Sequence, residues 1–238
     1  MEPVEIDIII LSYAQNNDLK QTTLNCIHSL LNSEDINKVK FNIIVLESER
    51  ILQPYQYFST MTVYPTTPFG YNKYMNIGLQ MSSSSFVCLC NNDLLFHPLW
   101  ASEILRTFSE YPYIVSASPF CSIFHPTLGY NVTDGIKFGY GVRDIVTGWC
   151  LFFRRNILTL TGKLDENYNF WAADNDYANT LGVLNLKHCL VTSSVVDHLE
   201  NRTLNYQTQE RQEELTKKES IYFYKKWGPR LGGDWLPI

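Results

Sequence analysis

The sequence has no long hydrophobic run and no excess of basic residues. Without an apolar stretch of about 18 residues, it offers no candidate for a membrane-spanning helix. Its net charge is −5, with 19 Lys and Arg against 24 Asp and Glu. This balance argues against a protein whose main task is stable binding to nucleic acid. Charged residues make up only 18 % and hydrophobic residues 45 %, a composition typical of a folded domain rather than a disordered chain.

Cysteine pairs with C-x-x-C spacing and a secretory leader pattern are also missing. The six cysteines are scattered, with no C-x-x-C pair and no zinc-site spacing, so we predict reduced structural thiols. The acidic residues 1–5 lack the basic and then apolar pattern of a signal peptide. These features predict a cytoplasmic protein, and contact with a membrane surface stays open.

Strand-like runs alternate with helical patterns in the first half of the chain. Continuous apolar runs are typical of buried parallel strands, and they occur at residues 6–11, 41–46 and 86–90, with a shorter run at 61–64. Helices are predicted after Asn17 or Asp18, from Gly70 to about residue 81, and from Pro98 to about residue 110. This rhythm indicates a parallel sheet flanked by helices.

The second half is less regular. Residues 119–141 are rich in Gly, Pro and aromatic residues, which predicts a long loop region. We predict a strand pair over residues 142–153, a helix from 173 or 174 to 181, a strand over 187–196 and a last helix over 207–227.

Polar residues follow three of the predicted strands, at the ends where open α/β sheets bind ligands. They are Ser12 and Tyr13, then Glu47 and Ser48, then Asn91, Asn92 and Asp93. A tyrosine there can stack on a base, a glutamate can accept hydrogen bonds from ribose, and an aspartate can bind a divalent cation. Taken singly, each residue type is also a common turn former at a strand end.

Seven segments occur in an order that resembles family 2 glycosyltransferases with the GT-A fold. They are IIILSY, IVLES, FGYNKYMNIGL, FVCLCNNDLLFHP, VTGWCLFFRR, FWAADNDYANTLG and VVDHLENRT, within residues 6–203. The resemblance implies an α/β nucleotide-diphospho-sugar transferase fold with a mostly parallel central sheet flanked by helices. It implies a single domain over 1–238, with a nucleotide-sugar-binding half (1–98), an acceptor and catalytic half (99–205) and a C-terminal helix and tail (206–238).

The resemblance also implies a metal site and a catalytic base. Asn91-Asn92-Asp93 is similar to the D-x-D-like motif and keeps only its final acid, which implies that Asp93 and His198 bind Mn²⁺ or Mg²⁺. Asp174 matches the general base, although Ala173 stands where the family usually has Glu. A carboxylate within about 3 Å of an acceptor hydroxyl can remove its proton. Read without the resemblance, Asp174 is a helix-capping acid and His198 a structural histidine.

The remaining site residues are predicted from the same segments. The nucleotide sugar is expected to contact Ser12, Tyr13, Glu47, Gly70, Lys73, Asn76, Asn91 and Asn92. The acceptor is expected to contact Trp149, Trp171 and Asp176. For the tryptophans, packing in an aromatic core is the alternative.

The function implied by the resemblance is inverting transfer of a sugar from a nucleoside diphosphate sugar, with UDP or dTDP favoured, to a hydroxyl, expected on a glycan. A catalytically silent nucleotide- or sugar-binding module stays an alternative because of the acids missing at 91, 92 and 173. A nucleotidylyltransferase is the other alternative, although the sequence lacks the Gly- and Arg-rich phosphate loop after its first strand. The last helix combines lysines with aromatic residues, so packing on the domain, a homodimer contact, a nucleic-acid acceptor and a membrane contact all stay open.

Overall fold

The structure, a computed structural model, describes residues 2–199 and 209–228, with side chains for all of these except 209–216. The strands are β1 (Val4–Ser12), β2 (Val39–Glu47), β3 (Thr60–Val63), β4 (Phe86–Cys90), β5 (Leu94–Phe96), β6 (Ile114–Phe120), β7 (Ile136–Phe138), β8 (Cys150–Arg154) and β9 (Lys187–His198). The helices are α1 (Asn17–Leu31), α2 (Tyr71–Met81), α3 (Trp100–Glu110), the one-turn α4 (Leu158–Thr161), α5 (Ala173–Val183) and α6 (Gln209–Trp227). Within these ranges, no helix is both long and apolar enough to span a bilayer.

The strands form one mixed sheet in the order β3-β2-β1-β4-β8-β6-β9-β5, and β7 pairs with β9. Strands β1 to β4 pair with one another only in parallel, as the sequence predicts for the first half. Strand β8 runs antiparallel to β4 and β6, and β6 and β9 are parallel. The α/β architecture with a central sheet flanked by helices is therefore confirmed, and each of its antiparallel pairings involves β8 or β9 of the second half.

The core has two layers, one on each face of the sheet. Alternation along β1 places Ile8 in the layer beneath α1 and α3 and Ile9 in the layer beneath α2 and α5. Trp100 and Leu181 are among the fully buried side chains that the helices contribute. Each buried side chain of this size stabilises the fold by about 1.5–3 kcal/mol relative to an exposed one. All six cysteines are free and buried, as predicted.

The second half corrects several predictions. Residues 142–149 form turns, so the predicted strand pair reduces to β8. Strand β6 was not predicted because its sequence, IVSASPF, lacks an apolar pattern. Its buried serines pair with polar groups instead: Ser116 Oγ lies 2.7 Å from the Tyr177 hydroxyl and 2.8 Å from His188 Nδ1. Residues 207–208 of the predicted last helix lie outside the described residues.

Candidate functional site

The carboxyl ends of β1, β2 and β4 meet at one edge of the sheet. The three strands are parallel, and the ladders pair Ser12 with Glu47 and Ile10 with Cys90. The polar residues that follow these strands are therefore neighbours in the fold. This edge is the position at which ligands bind in open α/β sheets.

Ser12 and Glu47 are buried at this edge in a hydrogen-bond network. The Tyr55 hydroxyl donates to Glu47 Oε2 (3.0 Å) and lies 2.8 Å from Ser12 Oγ. Glu47 Oε1 accepts the backbone N–H groups of Ala14 (3.0 Å) and Glu49 (2.9 Å). Both carboxylate oxygens are therefore occupied. In the structure Glu47 holds the loops after β1 and β2, and its direct nucleotide contact stays a prediction.

Asn92 is also directed into the protein, while Tyr13 and Ser48 remain at the edge. Asn92 Nδ2 donates to Thr23 Oγ1 at 2.8 Å. Tyr13 is half-buried, and burial raises the pKa of its phenol, so it stays neutral at pH 7. The Ser48 hydroxyl is buried and has no hydrogen-bond partner in the described part of the chain. The sequence places Ser48 among the polar residues of this edge, although it is not among the residues predicted to contact the nucleotide sugar.

Asp93 and His198, far apart in the chain, are brought together by the pairing of β5 with β9. Leu94 lies opposite His198 in this ladder, and His198 Nε2 is 3.2 Å from Asp93 Oδ1. Asn91 Nδ2 lies 3.5 Å from the same ring nitrogen. The Trp149 indole stacks on the His198 ring, with 5.1 Å between centroids and 8° between planes. This stack fixes the orientation of the imidazole beside the carboxylate.

The Asp93–His198 pair has the chemistry of a divalent-cation site. Carboxylate oxygen and imidazole nitrogen both suit Mn²⁺, and carboxylate oxygen suits Mg²⁺. Neighbouring ligands of an octahedral ion with bonds of about 2.1 Å lie about 3 Å apart, close to the 3.2 Å between these two atoms. Over residues 2–199 and 209–228, no further His, Cys or acid joins the pair in a cluster of three. The site thus offers one carboxylate and one imidazole.

Asp174 lies in the first turn of α5 with its carboxyl group packed beneath Gly148. Burial raises the pKa of Asp174 above its usual value, although its Oδ1 accepts the backbone N–H of Asn175 (2.9 Å). Ala172, immediately before the helix, has a left-handed φ of 56°, which is strained for a residue with a side chain. A carboxylate with a raised pKa is a stronger base, as proton abstraction requires.

One short segment links the candidate base to the candidate metal ligands. Gly148 lies against the Asp174 carboxyl group, and its neighbour Trp149 stacks on His198. The Tyr71 hydroxyl donates to the carbonyl oxygen of Gly148 at 3.2 Å and so holds the segment from α2. Two consecutive residues, Gly148 and Trp149, therefore contact the candidate base and one candidate metal ligand.

Two of the residues predicted at α2, Gly70 and Asn76, contact the loop that precedes α5. Asn76 Nδ2 donates to Leu164 O (2.9 Å) and its Oδ1 accepts Leu164 N–H (3.0 Å), so its amide holds the loop before α5. A Cβ at Gly70 would lie 2.8 Å from Asn169 Oδ1, so this glycine permits close packing on the same loop. Lys73, one turn further along α2, is half-buried. The nucleotide contact predicted for Asn76 is thus replaced by a structural one.

Of the predicted acceptor residues, Asp176 has its carboxylate bonded to side chains of α6. Its Oδ1 accepts from Trp227 Nε1 and pairs with Lys226 Nζ, each at 2.7 Å, and the residue is only 5 % exposed. This corrects the prediction that Asp176 faces the acceptor. Trp171 and Trp149 are half-buried, and their indole N–H groups have no hydrogen-bond partner among the described residues. Both indole nitrogens are buried, although each ring is partly exposed.

Comparison with known proteins identifies the family of this chain. A sequence model described as Glycosyl transferase family 2 matches residues 7–160, which is more than half of the chain. The chain belongs to glycosyl transferase family 2. It is therefore a glycosyltransferase, and the resemblance stated from the sequence is confirmed. No curated protein matches the sequence.

Solved structures share the fold of this glycosyltransferase at low sequence identity. A crystal structure of S. aureus TarS 1-349 superposes with a TM-score of 0.62 and 9 % identity, covering 93 % of this chain and 72 % of that one. A structure of GalNAc-T7 with UDP, GalNAc and Mn²⁺ gives a TM-score of 0.58 and 10 % identity, covering 94 % of this chain. The chain spans only half, 50 %, of that GalNAc-T7 chain. These likenesses confirm the GT-A fold.

Proposed function

We propose that this glycosyltransferase transfers a sugar from a nucleoside diphosphate sugar to an acceptor hydroxyl with inversion at the anomeric carbon. The observation that carries the proposal is the placement of two groups around residues 148–149. Gly148 contacts the buried carboxylate of Asp174, and the next residue, Trp149, stacks on His198 of the Asp93–His198 pair. An in-line displacement needs a base and a leaving-group site on opposite faces of the anomeric carbon, and we assign these roles to the two groups.

Asp174 takes the acceptor proton. As the acceptor oxygen bonds to the anomeric carbon, the bond from that carbon to the diphosphate oxygen breaks, and its electron pair leaves with the diphosphate. The hydroxyl proton passes to the Asp174 carboxylate, whose raised pKa favours this transfer. Attack on the face opposite the leaving group inverts the configuration of the sugar.

Asp93 and His198 would hold a divalent cation, Mn²⁺ or Mg²⁺. When bound, the ion supplies Lewis-acid stabilisation of the negative charge on the diphosphate. Asn91, 3.5 Å from His198 through Nδ2, is placed to contribute its amide oxygen after rotation of the amide. Binding of Mn²⁺ and UDP in the GalNAc-T7 structure supports a metal and a uridine nucleotide in this fold.

The donor and acceptor contacts come from different parts of the site. Tyr13 and Ser48 are placed at the sheet edge for the base and ribose, with UDP or dTDP sugars favoured as donors. Trp149 and Trp171, which are half-buried, supply apolar ring surface for an acceptor sugar. We propose a glycan acceptor and a cytoplasmic location. A homodimer is an additional proposal to be tested by the mass of the protein in solution.

The first test is thermal unfolding of the whole chain with a panel of nucleoside diphosphates and their sugars, with and without Mn²⁺. A ligand at 100 times its dissociation constant stabilises the folded state by about 2.7 kcal/mol. We expect a Mn²⁺-dependent shift with UDP or dTDP compounds that Asp93→Ala abolishes. Asp35→Ala, which removes an exposed acid between α1 and β2, should keep the shift. A wild-type chain that no nucleotide stabilises would contradict the proposal.

The second test addresses inversion without a known acceptor. Glycosyltransferases can pass the donor sugar slowly to water, and ¹H NMR of the fresh product distinguishes its two anomers before they interconvert. Release of the sugar with the anomeric configuration opposite to that in the donor is expected. Release with the same configuration would rule out the inverting mechanism while leaving donor binding intact.

A further inference from the structure

Glu219 is a buried acid in the C-terminal helix α6, outside residues 7–160 that the family model matches. It is 1 % exposed, and its carboxylate accepts three successive backbone N–H groups. The donors are Asn169 (2.9 Å, to Oε1), Phe170 (3.2 Å, to Oε2) and Trp171 (2.5 Å, to Oε2). Hydrogen bonds to a charged acceptor are about twice as strong as neutral ones. Glu219 is therefore a strong anchor for residues 169–171.

The same loop is fixed on its other side by α2. The N–H of Tyr71 donates to Asn169 O at 2.7 Å, and the N–H of Asn72 donates to Tyr168 O at 3.4 Å. The carbonyl groups of the loop thus face the N-terminus of α2, and its N–H groups face Glu219. A loop held in this way by both sets of backbone groups has a defined conformation.

The anchored loop leads directly into the candidate base. Trp171 is followed by the strained Ala172 and then by α5, whose second residue is Asp174. A left-handed conformation at a residue with a side chain persists only where its surroundings enforce it. Glu219 provides that constraint on the N-terminal side of Ala172, so the position of Asp174 depends on it.

The rest of α6 supports the same region. Lys226 Nζ lies 2.7 Å from both Asp165 Oδ2 and Asp176 Oδ1, and Phe223 packs with Tyr168. Salt bridges and packing hold α6 against α5, but Glu219 is the residue that receives the backbone of the loop. Asp93, by contrast, lies between β4 and β5, where its carbonyl oxygen accepts Leu199 N–H and its carboxylate pairs with His198 of β9. The donor side therefore does not depend on the α6 contacts described here.

We propose that Glu219 is a positioning residue for the acceptor side of the reaction. It holds Trp171 and, through Ala172, Asp174 in the arrangement that accepts and deprotonates the acceptor hydroxyl. This inference rests on the proposed function because it assigns Asp174 as the base. Under this proposal, two parts of the chain have separate roles. The first half binds the nucleotide, and the last helix completes the acceptor site.

The test is Glu219→Gln in the whole chain, with Glu110→Gln as a matched control at an exposed helix end. Glutamine keeps the volume but replaces one accepting oxygen by an NH2 group, so at least one of the three backbone N–H groups loses its acceptor. Hydrogen exchange followed by mass spectrometry should show exchange at least tenfold faster in peptides covering 169–171, with unchanged exchange in β1. Nucleotide affinity should stay within twofold of wild type, while kcat/KM for the acceptor, or for water, should fall at least tenfold. The control should behave as wild type in every measurement.

Unchanged exchange over 169–171, or faster exchange with unchanged kcat/KM, would overturn the positioning role. If Glu219→Gln does not fold, Glu219→Asp keeps the charge on a shorter side chain and should show smaller changes in the same direction. The exchange measurement needs no substrate. Failure of the wild-type chain to bind any nucleotide would therefore refute the proposed function without affecting the result for the anchor.

Discussion

The α-carbon of Gly148 lies against the carboxyl group of Asp174, with no room for a side chain between them. A methyl group at position 148 would be 2.8 Å from Asp174 Cβ and 2.9 Å from its Oδ2. Gly148→Ala must therefore displace either the candidate base or the segment that leads to Trp149. Misplacement of a catalytic group by about 1 Å can reduce the rate by about 100-fold.

We expect Gly148→Ala to lower kcat for transfer or donor hydrolysis by about 10- to 100-fold. Nucleotide affinity should change little because Tyr13 and Ser48 lie on other segments. Steady-state kinetics and nucleotide titration on the same sample separate the two effects. A variant with wild-type kcat would show that the Asp174 position is not critical.

Asp174→Asn should separate activity from stability. General bases contribute about 100- to 10,000-fold, so we expect a loss of kcat in that range. Burial raises the pKa of Asp174, which means that the folded state disfavours its charge. The neutral amide should therefore leave the free energy of unfolding at pH 7 unchanged or higher, as urea titration can measure. Asp35→Asn should affect neither quantity, and strong destabilisation by Asp174→Asn would contradict the stated origin of the raised pKa.

The pH dependence of the reaction should carry the signature of the same residue. The base must be ionised, so kcat/KM should fall at acidic pH along a limb whose midpoint lies above the usual value of 3.8. The folded state binds this proton more tightly than the unfolded chain does. The contribution of Asp174 to stability therefore decreases as pH rises from its pKa in the unfolded chain to its higher pKa in the folded state. The limb should be absent from the residual activity of Asp174→Asn. If the acidic limb persists in Asp174→Asn, it arises from the titration of another group.

Sequence patterns predict the elements that bury apolar side chains. Strand β4 is predicted at its observed residues, and α2 begins directly after Gly70, because continuous apolar runs and an apolar helix face are visible in the sequence alone. The N-cap of α1 is Asn16 and not the predicted Asn17 or Asp18, and its Oδ1 accepts Leu19 N–H at 2.9 Å. Strand β6 fails this approach because Ser116 and Ser118 are buried through hydrogen bonds and not through hydrophobicity.

The candidate site shows a similar division. The order of strands predicts which polar residues meet at the sheet edge, but not which atoms remain available there. Glu47 is at the edge and is occupied by Ala14 and Glu49, whereas Ser48 has no partner in the described part of the chain. Contacts between distant segments, such as Glu219 with residues 169–171, leave no periodicity or spacing to read.

At the opposite end of the sheet, Asp7 provides a test of stability that is independent of the site. It is 3 % exposed and accepts from Ser83 N–H (2.7 Å), Ser84 N–H (2.6 Å) and Arg155 Nη2 (2.9 Å). Removal of one partner of a buried ion pair leaves the other charge uncompensated, which costs about 3–5 kcal/mol. We expect Asp7→Ala to lower the free energy of unfolding by this amount in urea titration.

The matched control for Asp7 is Glu5→Ala, in the same strand. Glu5 forms an exposed pair with Lys40 at 2.8 Å, and such pairs contribute little because water screens both charges. Its removal should leave the urea midpoint almost unchanged. Nucleotide affinity measured on the folded fraction should be the same in both variants, because Asp7 and Glu5 precede the carboxyl edge where the ligand is proposed to bind. Equal destabilisation by the two substitutions would show that the buried network around Asp7 does not stabilise the fold beyond a surface pair.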